Sequence, residues 1–125
     1  MDVEVLIKII IQCAYNVRLQ LTSGFLESVY KKALVIELKK KGIRVEEEFP
    51  INVYYDGIVV GEYRADLIVE NVVIVELKAV QCLLPIHEAQ LVNYLTATNI
   101  NDGLLINFGG ERIEIKRKYR TYKRK

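Results

Sequence analysis

The chain has a single histidine and only two cysteines in 125 residues. One imidazole excludes a His-rich metal centre. Cys13 and Cys82 are too few and too widely spaced for a zinc site or a disulfide framework, so both are read as reduced thiols. Long apolar runs are missing too. Lys8 interrupts the first hydrophobic stretch, and Glu76 and Lys78 interrupt the strongest, so nothing reaches the roughly 18 to 20 apolar residues of a membrane span. Asp2 and Glu4 stand where a signal peptide would carry its basic residues. These absences predict a cytoplasmic protein without membrane contact. They leave its chemistry to carboxylates, lysine, glutamine and tyrosine.

Hydrophobic residues make up 51% of the chain, enough at this length for one domain with a real interior and not for two. The net charge of +2 conceals an asymmetry. KRKYRTYKRK, residues 116–125, holds seven of the 18 Lys and Arg, which leaves 11 basic against 16 acidic side chains before it. We therefore expect a single domain over residues 1–118 and a basic tail over 119–125. Tyr119 and Tyr122 are interleaved with Lys116, Arg117, Lys118, Arg120, Lys123, Arg124 and Lys125. Such a segment suits nucleic acid, holding phosphates by charge and bases by stacking. A frayed, solubilising terminus has the same composition.

Apolar residues recur at helical spacing over residues 3–19, and LTSG at 21–24 breaks the pattern. A second helix is predicted over 25–41, with Leu26, Val29, Ala33 and Ile36 as its apolar arc, Glu27 at the border of that arc, and Gly42 as its stop. The period then changes from 3.6 to two. Residues 43–55 and 58–69 read as strands joined at Asp56-Gly57, followed by a strand at 72–80, a helix at 86–98, a strand at 103–108 and an edge strand at 112–118. A three-strand meander followed by a helix and a further strand predicts an α/β (α+β) fold, a mixed sheet flanked by helices. The crossover should set strand 103–108 parallel to a meander strand.

RADLIVENVVIVELKAV, residues 64–80, reads as buried strand yet contains Asp66, Glu76 and Lys78. Charges stay in such a place when paired, hydrogen-bonded or holding a metal. Glu76 and Lys78 share a face near the C-terminal end of their strand, where ligands bind in open α/β sheets. Asp66 reaches that face only if opposed positions sum to 142, which requires a three-residue turn of Glu70, Asn71 and Val72 or a bulge, with Asn71 the candidate for a left-handed conformation. Two carboxylates meeting on a covered sheet resist ionisation unless a cation lies between them, and hard oxygen donors favour Mg²⁺ or Mn²⁺. Lys78 would then orient or help deprotonate a water attacking a phosphodiester. A plain Glu-Lys ion pair at a strand end satisfies the same spacing.

Gln90 and Tyr94 share one stripe of the helix at 86–98 with Leu91 and Leu95. His87, near its start, reads more readily as a capping histidine than a catalytic one. Glu27 sits in a first turn, where the helix dipole favours a carboxylate, and could supply a third acidic ligand.

Taken together, Glu27, Asp66, Glu76 and Lys78, then Gln90 and Tyr94, resemble the motif order of the PD-(D/E)xK nuclease superfamily, in particular its RecB and lambda-exonuclease-like members. Gly24, Glu27 and Tyr30 in GFLESVY resemble the motif of the GxxExxY family within it, and YRADLIV, IVELKAV, HEAQLVNYL and GLLINFG resemble its later blocks in order. Ala65 stands where the signature has proline. The resemblance implies a restriction-endonuclease-like core and a Mg²⁺- or Mn²⁺-dependent nuclease, with DNA the expected substrate. It implies metal binding by Asp66 and Glu76, assistance to the attacking water by Lys78, and support from Glu27, Gln90 and Tyr94. A homodimer is expected where a small nuclease must span a duplex. Two other readings fit the residues. One is a non-catalytic nucleic-acid- or protein-binding module that keeps the fold; the other is a structural domain with a buried charged network, which would seldom add stability.

Overall fold

The Asp2 side chain accepts a hydrogen bond from the Glu4 N–H (3.1 Å) and so starts α1, Val3–Gln20. Leu6, Ile10, Cys13, Ala14 and Val17 form its buried stripe. In this computed structural model, which describes residues 1–121, the elements that follow are α2 (Glu27–Lys40), β1 (Val45–Tyr55), β2 (Ile58–Val69), β3 (Val73–Lys78), α3 (Pro85–Thr98), β4 (Asp102–Asn107) and β5 (Glu114–Tyr119). Type and order match the expectation from periodicity. No described helix is long and apolar enough to cross a membrane.

The strands form one sheet in the order β1-β2-β3-β4-β5. β3 is its middle strand, and it pairs parallel with β4 while all other pairs are antiparallel. α1 and α2 cover one face, where Ile10, Tyr30, Leu34 and Leu38 join Leu67, Val75 and Ile106 in one broad cluster. α3 covers the other through Leu91, Tyr94 and Leu95, against Ile51, Ala65, Ile68, Ile74 and Leu105. The architecture is a mixed sheet flanked by helices, as a restriction-endonuclease-like core requires.

The β2-β3 register places Leu67 opposite Val75, Ile68 opposite Ile74 and Val69 opposite Val73. Each pair obeys the sum that brings Asp66 toward Glu76. The turn is the three residues expected, with both Glu70 (φ 50°) and Asn71 (φ 58°) left-handed. A second distortion lies across β1. Glu48 has φ 50°, and no residue pairs with Asp66 in the β1-β2 ladder. Ala65 and Leu67, two residues apart, consequently pack on opposite faces of the sheet. The pleat is broken at Asp66, where the strand turns a side chain toward the site.

Three details differ from the sequence reading. α2 begins at Glu27 and not at residue 25, because Gly24 (φ 112°) and the loop after it are held by Tyr30. Its buried residues are Tyr30, Leu34, Val35 and Leu38, while Leu26 and Ile36 of the expected arc are exposed. The helix is rotated from the expectation so that Tyr30 faces the core. The last edge strand, expected over 112–118, is β5 at Glu114–Tyr119, so it carries Lys116, Arg117 and Lys118 as expected and takes in Tyr119 of the expected tail. Tyr122, Lys123, Arg124 and Lys125 of the expected tail lie outside the described residues.

Candidate active site

The β2-β3 ladder ends at Leu67 and Val75, and beyond it the two carboxylates take over its hydrogen bonds. Asp66 Oδ2 accepts from the Leu77 N–H (2.8 Å), and Glu76 Oε2 accepts from the Asp66 N–H (2.6 Å). Each carboxylate therefore bridges to the other's strand. This wedges the strands apart at their ends and fixes both side chains. Oδ1 of Asp66 and Oε1 of Glu76 carry no hydrogen bond among the described residues.

Burial makes this arrangement electrostatically unfavourable. Glu76 is only 5% exposed, and its pKa is pushed up to about 8, first by burial and then by the Asp66 charge. Burial likewise raises Asp66, against the stabilising Leu77 N–H bond. Glu27, in the first turn of α2, is raised by burial and then by Asp66. The Lys78 ammonium lowers all three, and so offsets part of the strain. Glu27, Asp66, Glu76 and Lys78 thus form one electrostatic cluster, contributed by α2, β2 and β3.

Two charged neighbours were not legible as site residues. Lys31 forms an ion pair with Glu48, the left-handed residue across from Asp66. Lys31 lies one helical turn after Glu27, which is the one signal that could have placed it here. On the α3 side, Tyr94 is buried and raised in pKa by burial and then by Glu76, with the Gln90 side chain acting in the opposite sense. Tyr94 thus feels the charge of the cluster, and Gln90 lines the same groove as Tyr94 and Lys78. His87 caps α3, its Nδ1 accepting from the Leu84 N–H (3.0 Å), and it lines the groove that Lys78, Gln90 and Tyr94 also line.

Tyr30 explains the spacing of GFLESVY. Its hydroxyl donates to the Thr22 carbonyl (2.6 Å) and accepts from the Phe25 N–H (3.1 Å), while its ring stacks on Phe108 at 4.9 Å. The loop is latched to the core, and the next residues start α2 at Glu27, which is exposed yet close enough to feel the charges of Asp66 and Lys78.

The basic residues of β5 are largely engaged within the fold. Arg117 bonds Glu4 (2.7 Å) and Asp102 (2.8 Å), and Lys118 bonds Glu88 (3.1 Å). Arg120 bonds the Asn101 side chain (2.5 Å), and Lys116 is exposed.

The donor set fits a hard divalent cation, because two carboxylates with unused oxygens meet at a covered strand end and repel without one. Among the described residues, no three His, Cys, Asp or Glu side chains converge as a ready-made cage. A cation here would be held chiefly by Asp66 and Glu76.

A family model described as "PD-(D/E)XK nuclease superfamily" matches residues 4–118. Among solved structures, one titled "Crystal structure of SSO0001" superposes with a TM-score of 0.58 at 22% identity, over 77% of this chain and 50% of that one. The chain thus corresponds to half the length of that protein, and the likeness is one of fold. No curated protein matches the chain.

Proposed function

The chain belongs to the PD-(D/E)XK nuclease superfamily, and from that premise we propose that it is a divalent-metal-dependent nuclease acting on DNA, of the GxxExxY type. The observation that carries the reading is the crossing of Asp66 and Glu76 at the end of the β2-β3 ladder, with Lys78 two residues further along the same face. Hydrolysis joins the oxygen of a water to phosphorus and breaks one P–O bond to a sugar. One proton, passed directly or by way of solvent, ends on the departing sugar oxygen, and the other stays on the phosphate or is released to solvent. Asp66 and Glu76, supported by Glu27, would hold Mg²⁺ or Mn²⁺. Such a cation, when bound, supplies Lewis-acid stabilisation of charge on the phosphoryl oxygens. Lys78 orients the attacking water and steadies the charge that appears as its proton leaves. Gln90 and Tyr94 position the phosphate from the α3 side. The remaining cations of residues 116–125 contribute backbone attraction.

The test is cleavage of mixed single- and double-stranded DNA and RNA in Mg²⁺ or Mn²⁺, wild type beside Lys78→Ala. Cutting that needs metal and falls about 10³-fold in the variant supports the reading. Equal cutting by both proteins, or none by either, contradicts it. A second reading, a binding module that keeps the fold, draws on the backbone bonds of Asp66 and Glu76, since these side chains close the sheet end without any chemistry. It predicts that Lys78→Met retains nucleic-acid binding and stability, with no activity to lose.

A further inference from the structure

Between the β1-β2 arm and α3 lies a groove of about 990 Å³, and Lys78, Gln90 and Tyr94 line one part of it. The groove is therefore continuous with the acidic cluster, but its own lining has a different chemistry. No Asp or Glu lines it among the described residues, and its cations are Lys78 and Arg120. Besides His87, two threonines and small or aliphatic residues, the lining offers aromatic and amide groups, among them Tyr54, Tyr63, Asn52 and Asn93, with Tyr94 and Gln90 at the site end.

Tyr63 is placed for contact with a ligand. It is 48% exposed, and its ring lies 5.7 Å from that of Tyr94. The ring rests over Gly61, where an added Cβ would stand 2.9 Å from it. A larger residue at 61 would push the ring aside. An aromatic platform is thus held open at the mouth of the groove, next to the residues proposed to act on a phosphate.

A duplex is gripped through phosphates on two backbones, which takes many Lys and Arg. Unpaired nucleotides are held by stacking on aromatic rings and by amide contacts to exposed base edges. The groove has few of the former groups and several of the latter. On the reading that this site is a nuclease, we infer that the groove seats an unpaired nucleic-acid strand, with a base stacked on Tyr63 beside the phosphate that Lys78 faces. One strand in one groove needs one active site, so a single chain suffices for the cut.

The inference is tested by fluorescence anisotropy with the wild-type protein in Ca²⁺, a cation that suits oxygen ligands but not the strict octahedral geometry of Mg²⁺. The probes are a labelled DNA strand of about 12 nucleotides, the RNA strand of the same sequence, and the DNA as a blunt duplex. The single strands should bind at least about ten-fold tighter than the duplex, and the DNA and RNA arms show which sugar is preferred. Tyr63→Ala and Gly61→Ala should each weaken single-strand binding, the former by about ten-fold or more, while Tyr63→Phe retains it. A duplex bound as tightly as the strands, no binding of any probe, or an unchanged affinity in Tyr63→Ala would overturn the inference. A wild type that cuts only duplex overturns it while leaving the nuclease reading intact. Tyr63-dependent strand binding without any cutting preserves it and removes the nuclease reading.

Discussion

Glu76 of β3 and Asn107 of β4 are the two buried polar side chains of the described core, on neighbouring strands a few residues apart. Their surroundings differ in kind. Asn107 accepts from the N–H groups of Val80 and Gly109 and donates to the Val80 carbonyl and to Glu114 Oε1, each at 2.9 to 3.0 Å. Glu114 in turn accepts from the Leu83 N–H (3.2 Å). Gly109 belongs to the same clamp, because a Cβ there would lie 2.5 Å from the backbone of Ala79 and Val80. Both ends of the Asn107 amide are satisfied, and the loop leaving Lys78 is fastened to the end of β4. Glu76 has one oxygen bonded, a second carboxylate beside it and a raised pKa. A satisfied buried group builds the fold; one set beside a second carboxylate at a strand end is, on the proposed reading, where a cation would bind.

The comparison is broken most severely by exchanging what each residue does. Asn107→Leu leaves the Val80 N–H and C=O and the Gly109 N–H without their partners. It should cost about 3 kcal/mol or more of stability, read by denaturant unfolding, and it should lower activity only through loss of folded protein and of Lys78 placement. Glu76→Gln should do the reverse, removing cleavage while leaving the metal-free fold intact or more stable. Its oxygen still accepts from the Asp66 N–H.

The pH dependence sharpens the contrast. In metal-free wild type the folded protein holds the Glu76 proton up to about 8, whereas the unfolded chain releases it near the ordinary glutamate value of 4.5. Folding stability from this group is therefore greatest below the unfolded value and declines as pH rises between the two. Thermal unfolding in a chelator should show that decline in wild type and a smaller one in Glu76→Gln, with the variant's advantage largest near pH 8. A smaller effect belongs to Tyr30→Phe. Losing the bonds to Thr22 and Phe25 should cost about 1 kcal/mol, and cleavage should fall further than stability accounts for if the latch places Glu27.

The sequence was most legible where periodicity and burial agree. The order of helices and strands, the central position of β3 and its parallel neighbour all followed from alternation and from the crossover helix. The β2-β3 register could be read because the face shared by Asp66 and Glu76 allows one parity of turn. The face of α2 could not be read so, since apolar residues occur around most of that helix and only contact with Phe108 shows that Tyr30 points inward. Asn107 was likewise silent, because its partners come from the loop after β3 and from β5. Alternation placed Arg117 and Lys118 on an edge strand, but their ion pairs could not be read, because the carboxylate partners at positions 4, 88 and 102 are remote in sequence.

The most direct test of the account is calorimetric titration of Mn²⁺ into metal-free wild type, Glu76→Gln, Asp66→Asn and Asn107→Asp. Wild type should bind the cation at one principal site, both carboxylate variants should lose at least about ten-fold in affinity, and the added carboxylate at 107 should create no equivalent site. Mn²⁺ bound equally by wild type and Glu76→Gln, or by neither, would contradict the assignment of the Asp66-Glu76 crossing as the metal-binding heart of a nuclease.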